Sequence, residues 1–120
     1  MISSYKPDTE FYTPERCHIV EIHNREEDKV CSVARARVEP GVTTKLHSVR
    51  GTVERYVILE GRGRVEVGDD EPVTVQPLDV VTIPAGVSQR ITNLGDRDLI
   101  FLCICTPRFM PDCYVDEEGS

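Results

Sequence analysis

With 120 residues, 39% of them hydrophobic, the chain has room for one domain with an apolar core and not for two. Fourteen basic against twenty-one acidic residues give a net charge of -7, which argues against nucleic acid or an anionic membrane as a partner. No run of about eighteen apolar residues is present to cross a bilayer, and the charge balance does not exclude a small anionic ligand.

Residues 1–14 are polar, hold two prolines and no hydrophobic stretch suited to export, and read as an arm, either frayed or paired with a partner subunit. Strands are expected at 17–23 and, after the charged turn 24–29, at 30–38, where Val30, Ser32, Ala34 and Ala36 alternate with Cys31, Val33, Arg35 and Arg37. Pro40-Gly41 ends that strand. Further short strands are expected at 45–49, 53–59, 64–67, 73–75, 80–83, 89–92 and 99–106, separated by Gly, Pro, Asn and Asp turns. No helical stripe longer than a turn or two interrupts them, which is the pattern of an all-β barrel or sandwich. The tail from Pro107 is expected to hold one turn of helix, and Asp116-Glu117-Glu118 reads as a solvated terminus. The organisation is therefore an arm (1–14), a barrel (15–110) and a polar tail (111–120).

The cysteines are Cys17, Cys31, Cys103, Cys105 and Cys113, an odd number without Cys-x-x-Cys spacing, so a reduced cytoplasmic protein is expected. Cys103 and Cys105 share one strand face. They are either small buried hydrophobes or, on an inner face, a source of a thiolate ligand.

His47 and Val49 stand two apart on a strand and so point to the same side. Glu54 follows the Arg50-Gly51-Thr52 turn, and a tight hairpin there is expected to return it opposite His47. An imidazole and a carboxylate brought together suit a divalent transition ion. They equally suit acid–base work in a pocket without one. Tyr56, on the face of Glu54, lines the same cavity or packs in the core. Arg55 and Arg90 alternate away from Glu54 and Gln89 and are expected in solvent, and Asn93 is expected to make structural hydrogen bonds.

Gly41, five residues, His47, Val49, Glu54, six residues, Gly61 resembles the first motif of the cupin superfamily, with Val49 in place of a second histidine. Leu78, Pro84, Gly86, Gln89 and Asn93 resemble the second motif, with Leu78 where glycine is usual and Gln89 where histidine is usual. The chain is thus similar to a small single-domain cupin with a degenerate metal motif. The resemblance implies a double-stranded β-helix, or jelly-roll barrel, commonly homodimeric, with a metal inside. Carried over, the ligands are His47, Glu54 and Gln89, holding Zn, Mn, Fe or Ni; His47 and Glu54 are also the implied catalytic residues. Val49, Tyr56, Cys103, Cys105 and Phe109 would line the pocket, Phe109 from a segment that packs across a barrel opening. The implied ligand is a sugar or an oxo- or hydroxy-acid, acted on by a metal-dependent isomerase, epimerase or oxygenase. Two alternatives stay open. One is a non-catalytic binding or structural module that has lost the metal, and the other is a metal-free isomerase or dehydratase using His47 and Glu54.

Overall fold

Eleven short strands carry the chain through the computed structural model, which describes residues 1–119. They are β1 (Phe11–Tyr12), β2 (His18–His23), β3 (Ser32–Val38), β4 (His47–Val49), β5 (Val53–Glu60), β6 (Gly63–Val67), β7 (Val73–Val75), β8 (Val80–Ile83), β9 (Gln89–Asn93), β10 (Leu99–Thr106) and β11 (Tyr114–Asp116). Helix is confined, among the described residues, to two 3-10 turns, Pro7–Thr9 and Pro111–Cys113. One sheet has the order β1-β2-β3-β10-β5-β8 and the other β11-β4-β9-β6-β7. Every pairing is antiparallel, and the two sheets wrap one core as a jelly-roll barrel.

The two-residue period of the sequence decides what fills the barrel. On β5, Glu54, Tyr56 and Ile58 are buried, while Arg55 and Val57 alternate outward and are only partly covered. On β9, Gln89, Ile91 and Asn93 point inward and are all essentially inaccessible. On β10 the same face carries Leu99, Phe101, Cys103 and Cys105, registered against Ile58, Tyr56 and Glu54 of β5 from Phe101 onward, past a bulge at Ile100/Phe101. Polarity is therefore graded along the barrel. At one end Val38, Ile58, Val65, Ile91 and Leu99 make a closed apolar plug. Each large side chain there stabilises by about 1.5–3 kcal/mol through burial. At the other end the same strands present Glu54, Gln89, Cys105 and Ser32. Asn93 ties the apolar end together: Nδ2 donates to the Val38 and Arg97 carbonyls, and Oδ1 accepts from Gly95 N–H, as its motif position suggested.

Both chain ends are docked, and one expectation is corrected. The arm folds onto its own chain: β1 pairs with β2, and Glu10 accepts from Arg37 (2.6 and 3.1 Å) and Arg35 as a charge-assisted clamp. The tail is docked as well as solvated, with Asp116, Glu117 and Glu118 exposed as expected. β11 adds an edge strand to β4, Asp116 binds Lys45 at 2.7 Å, and Glu118 accepts from the Leu46 N–H and Arg16. Finally, β4 and β5 do not form a hairpin. The turn at Gly51, with φ +72°, passes the chain from one sheet to the other. Glu54 consequently faces the β4–β9 pair across the barrel rather than along a ladder.

Gly61, at φ +88°, shows why its position takes glycine, since a Cβ there would lie 3.0 Å from the Asp98 carbonyl oxygen. Leu78 adopts φ +75° with a side chain that is 80% exposed. It holds the left-handed turn where the motif normally has glycine, at a steric cost and with little packing in return.

Candidate functional site

His47 opens β4 directly opposite Gln89 in the β4–β9 ladder, and its side chain is almost wholly buried. Its Nδ1 lies 2.7 Å from the Lys45 carbonyl oxygen, a pure acceptor. Nδ1 therefore carries the proton, and Nε2 keeps its lone pair in the neutral ring. The ring stacks on Tyr114 of β11, with centroids 5.2 Å apart at 18°. The docked tail thus sets one wall of the site.

Glu54 and Gln89 are joined in a buried chain. Tyr56 Oη donates to Gln89 Oε1, and Gln89 Nε2 donates to Glu54 Oε1 at 2.8 Å. This orientation gives each group a complementary partner and aims an N–H at the carboxylate. Burial pushes the Glu54 carboxyl up. Gln89's N–H and nearby His47 oppose the rise, while the charge of Glu15 adds to it.

Glu15, which sequence reasoning did not single out, completes the group. It sits in the turn between β1 and β2, where Thr13 N–H donates to the Cys17 carbonyl and the Glu15 carbonyl accepts from Lys45 N–H. Its Oε2 is 3.4 Å from His47 Nδ1 and is the one buried side-chain oxygen or nitrogen among the described residues without a hydrogen-bond partner. Desolvation pushes this carboxyl up as well, with His47 pulling the other way. Extending the two-residue period of β2 backward from Ile19 through Cys17 reaches Glu15, and all three line one inner cavity.

That inner cavity measures about 30 Å³ and is bounded also by His47, Glu54, Tyr56 and Cys103. Outside it lies a larger cavity of about 410 Å³ that shares Glu15, Glu54 and Cys103 and is walled by Cys105, Phe109 and Tyr114. Phe109 thus borders the opening from the segment after β10. Cys103 and Cys105 both face the cavity, but burial and the Glu54 charge push both thiols up, so they remain S–H groups at neutral pH. Val49 is buried and lines neither cavity. Arg90 turns outward to Glu66 (2.8 and 3.0 Å), and Arg55 reaches Thr106.

The cupin domain family model matches residues 34–105, which include both motif segments and the strands that carry them. The chain belongs to the cupin family. This cupin is 37% identical over 78 residues to an uncharacterized protein of Methanocaldococcus jannaschii, covering 65% of this chain and 62% of that one. It is 37% identical over 71 residues to the oxalate-binding protein of Thermotoga maritima (59% and 58% covered). A crystal structure of a predicted oxalate decarboxylase from T. maritima superposes with a TM-score of 0.78 at 25% identity, covering 89% of this cupin and 99% of that chain. The Bacillus subtilis oxalate decarboxylase is 30% identical over 105 residues, with a TM-score of 0.71. The cupin covers 84% of itself and only 26% of that protein. It thus spans less than two thirds of each curated relative. Among the described residues no helix is long and apolar enough to cross a membrane.

Mn(II) centres are a property of the B. subtilis enzyme. Here the implied donor set does not fit such an ion. Val49 has no donor atom, and both ends of the Gln89 amide are committed, its oxygen to Tyr56 and its nitrogen to Glu54. Glu15 stands on the Nδ1 side of His47, away from the free Nε2. Among the described residues no three His, Cys, Asp or Glu side chains are grouped to hold a metal. The expected trio of His47, Glu54 and Gln89 is brought together: Gln89 donates to Glu54, and His47 stands opposite Gln89 in the β4–β9 ladder with its own hydrogen bond to Lys45.

Proposed function

We propose that this cupin binds a small polar molecule in the 410 Å³ cavity and moves a proton on it, as an isomerase or dehydratase working through His47 and Glu54. The observation that carries this reading is the buried, unpartnered Oε2 of Glu15 beside an imidazole whose other nitrogen is free. Glu54, its carboxyl pushed up by burial and steadied by Gln89, is suited to deliver a proton to the ligand. His47 Nε2 is suited to take one. Glu15, behind Nδ1, stabilises the imidazolium that results, as a carboxylate does for a charged ring. Proton donor and acceptor thus stand on opposite sheets, with Glu54 bordering both cavities and His47 the inner one.

The experiment is hydrogen exchange from D₂O into a panel of small carbohydrates and amino compounds, followed by proton NMR. Glu54→Gln and His47→Asn should each slow incorporation by about 100-fold or more. Exchange that is unchanged in both variants would remove these residues from the chemistry. Binding without exchange anywhere in the panel would favour the non-catalytic module, a reading supported by the Tyr114 ring covering His47.

A further inference from the structure

The larger cavity is unbalanced in charge. Its ionisable oxygen groups are Glu15, Glu21, Glu54 and Asp116, whereas its one basic residue is Lys45. Lys45 Nζ is 2.7 Å from Asp116 and is therefore already neutralised. No arginine reaches the lining. The arginines on β3, β5 and β9 are held elsewhere: Arg35 by Glu10, Arg37 by Glu10 and Asp98, Arg90 by Glu66, and Arg55 by the Thr106 hydroxyl. A dicarboxylate entering this space would meet three carboxyl groups and no available cation, and its desolvation would go uncompensated.

The walls are otherwise apolar. Phe11 and Phe109 stand there with the ring of Tyr114, and aromatic faces attract cations and repel anions. At the inner end, Glu15 Oε2 accepts from no group in the protein. A buried carboxylate oxygen without a donor is satisfied only by a ligand that brings an N–H or O–H, and most strongly by one that brings positive charge.

From the four acidic groups against one paired lysine, the aromatic walls and the unpartnered Glu15 oxygen, we infer that the ligand of this pocket is a small organic amine in its ammonium form. Its charged end lies between Glu15 and Glu54, and its carbon body lies against Phe109 and Tyr114. The inference rests on the proposed binding reading of the same cavity. It sets this cupin apart from relatives whose names refer to oxalate.

The test is calorimetric titration of the full chain, in EDTA, with three probes of one shape: benzylammonium, benzyl alcohol and benzoate, with oxalate as a fourth. Benzylammonium should bind about 10-fold or more tighter than benzyl alcohol, and the two anions should give no heat of binding. Glu15→Gln should weaken benzylammonium by about 10-fold and leave benzyl alcohol within about twofold. Glu21→Gln, at the exposed rim, should weaken benzylammonium by only about twofold, which guards against a variant that merely misfolds. Benzoate or oxalate binding as tightly as the amine would overturn the inference, as would the absence of benzylammonium binding at millimolar concentration. Failure of the proton-transfer reading is separable, because amine binding lost in Glu15→Gln but kept in His47→Asn would stand without any exchange chemistry.

Discussion

Replacing Tyr56 by Phe removes one oxygen and almost no volume from a residue that is 3% exposed, so the change isolates a hydrogen bond. The lost hydroxyl is the donor to Gln89 Oε1, and Gln89 is 0% exposed, so no solvent can take its place. A buried acceptor left without a donor costs about 1–3 kcal/mol. For a domain of this length, that corresponds to a fall in Tm of about 4–12 °C. Urea unfolding of wild type, Tyr56→Phe, Gln89→Leu and the double variant closes a cycle. In the Gln89→Leu background the Tyr56 hydroxyl has itself lost its acceptor, so removing it should be neutral or stabilising. The cycle should therefore show a coupling of about 1–3 kcal/mol. A cost below about 0.5 kcal/mol that is equal in both backgrounds would refute the reasoning, since the Gln89 amide would then be free to serve another role.

The remaining predictions concern charge, metal and backbone. Because Glu15 and Glu54 are raised above the ordinary carboxyl value of 4.5, the folded state holds their protons more tightly than the unfolded state does. Their contribution to stability is full below that value and is lost as pH rises through the raised range. Unfolding free energy should therefore fall as pH rises above that value, and the fall should flatten in Glu15→Gln and Glu54→Gln; parallel curves would contradict it. Glu10, lowered chiefly by its hydrogen bond to Arg37, has the opposite sign and acts below 4.5, outside that window. Val49→His with Gln89→His places two imidazoles beside and opposite His47, and the double variant should gain near-stoichiometric zinc or manganese by elemental analysis. A folded variant without metal would show that the barrel geometry, not only the side chains, departs from a metal site. Leu78→Gly should stabilise by about 0.5–1 kcal/mol, because it relieves a left-handed backbone at an exposed position; a lower denaturation midpoint would contradict this.

The barrel was legible because its strands keep a strict two-residue period and its turns carry glycine at left-handed positions. β10 is bounded where its continuous apolar run begins and ends, and Asn93 bonds structurally as its motif position suggests. What local pattern could not show was which sheet each strand joins. The Arg50-Gly51-Thr52 turn suits a hairpin equally well, yet it crosses between sheets and sets Glu54 across the cavity from His47. The docking of both chain ends was hidden for a related reason. Glu10 and Asp116 look like solvated charges until Arg37 and Lys45, distant in sequence, are placed beside them. Glu15 was missed in the same way, since one glutamate in a polar turn carries no signal until the arm folds back over β4. For Gln89, the sequence supports a ligand or a hydrogen-bonding residue, and its partners Tyr56 and Glu54 could not be read from local pattern.

The central claim is that Glu15 and Glu54 are carboxyl groups kept for protons and for a ligand, with His47 between two sheets, rather than members of a metal site. Carbon-13 NMR titration of the two glutamate carboxyls, in EDTA and then with stoichiometric Zn²⁺, tests it most directly. The account predicts that both titrate above the ordinary value of 4.5 and that zinc leaves their shifts and midpoints unchanged. Ordinary titration of both groups, or a saturable zinc-induced shift at one ion per chain, would contradict it.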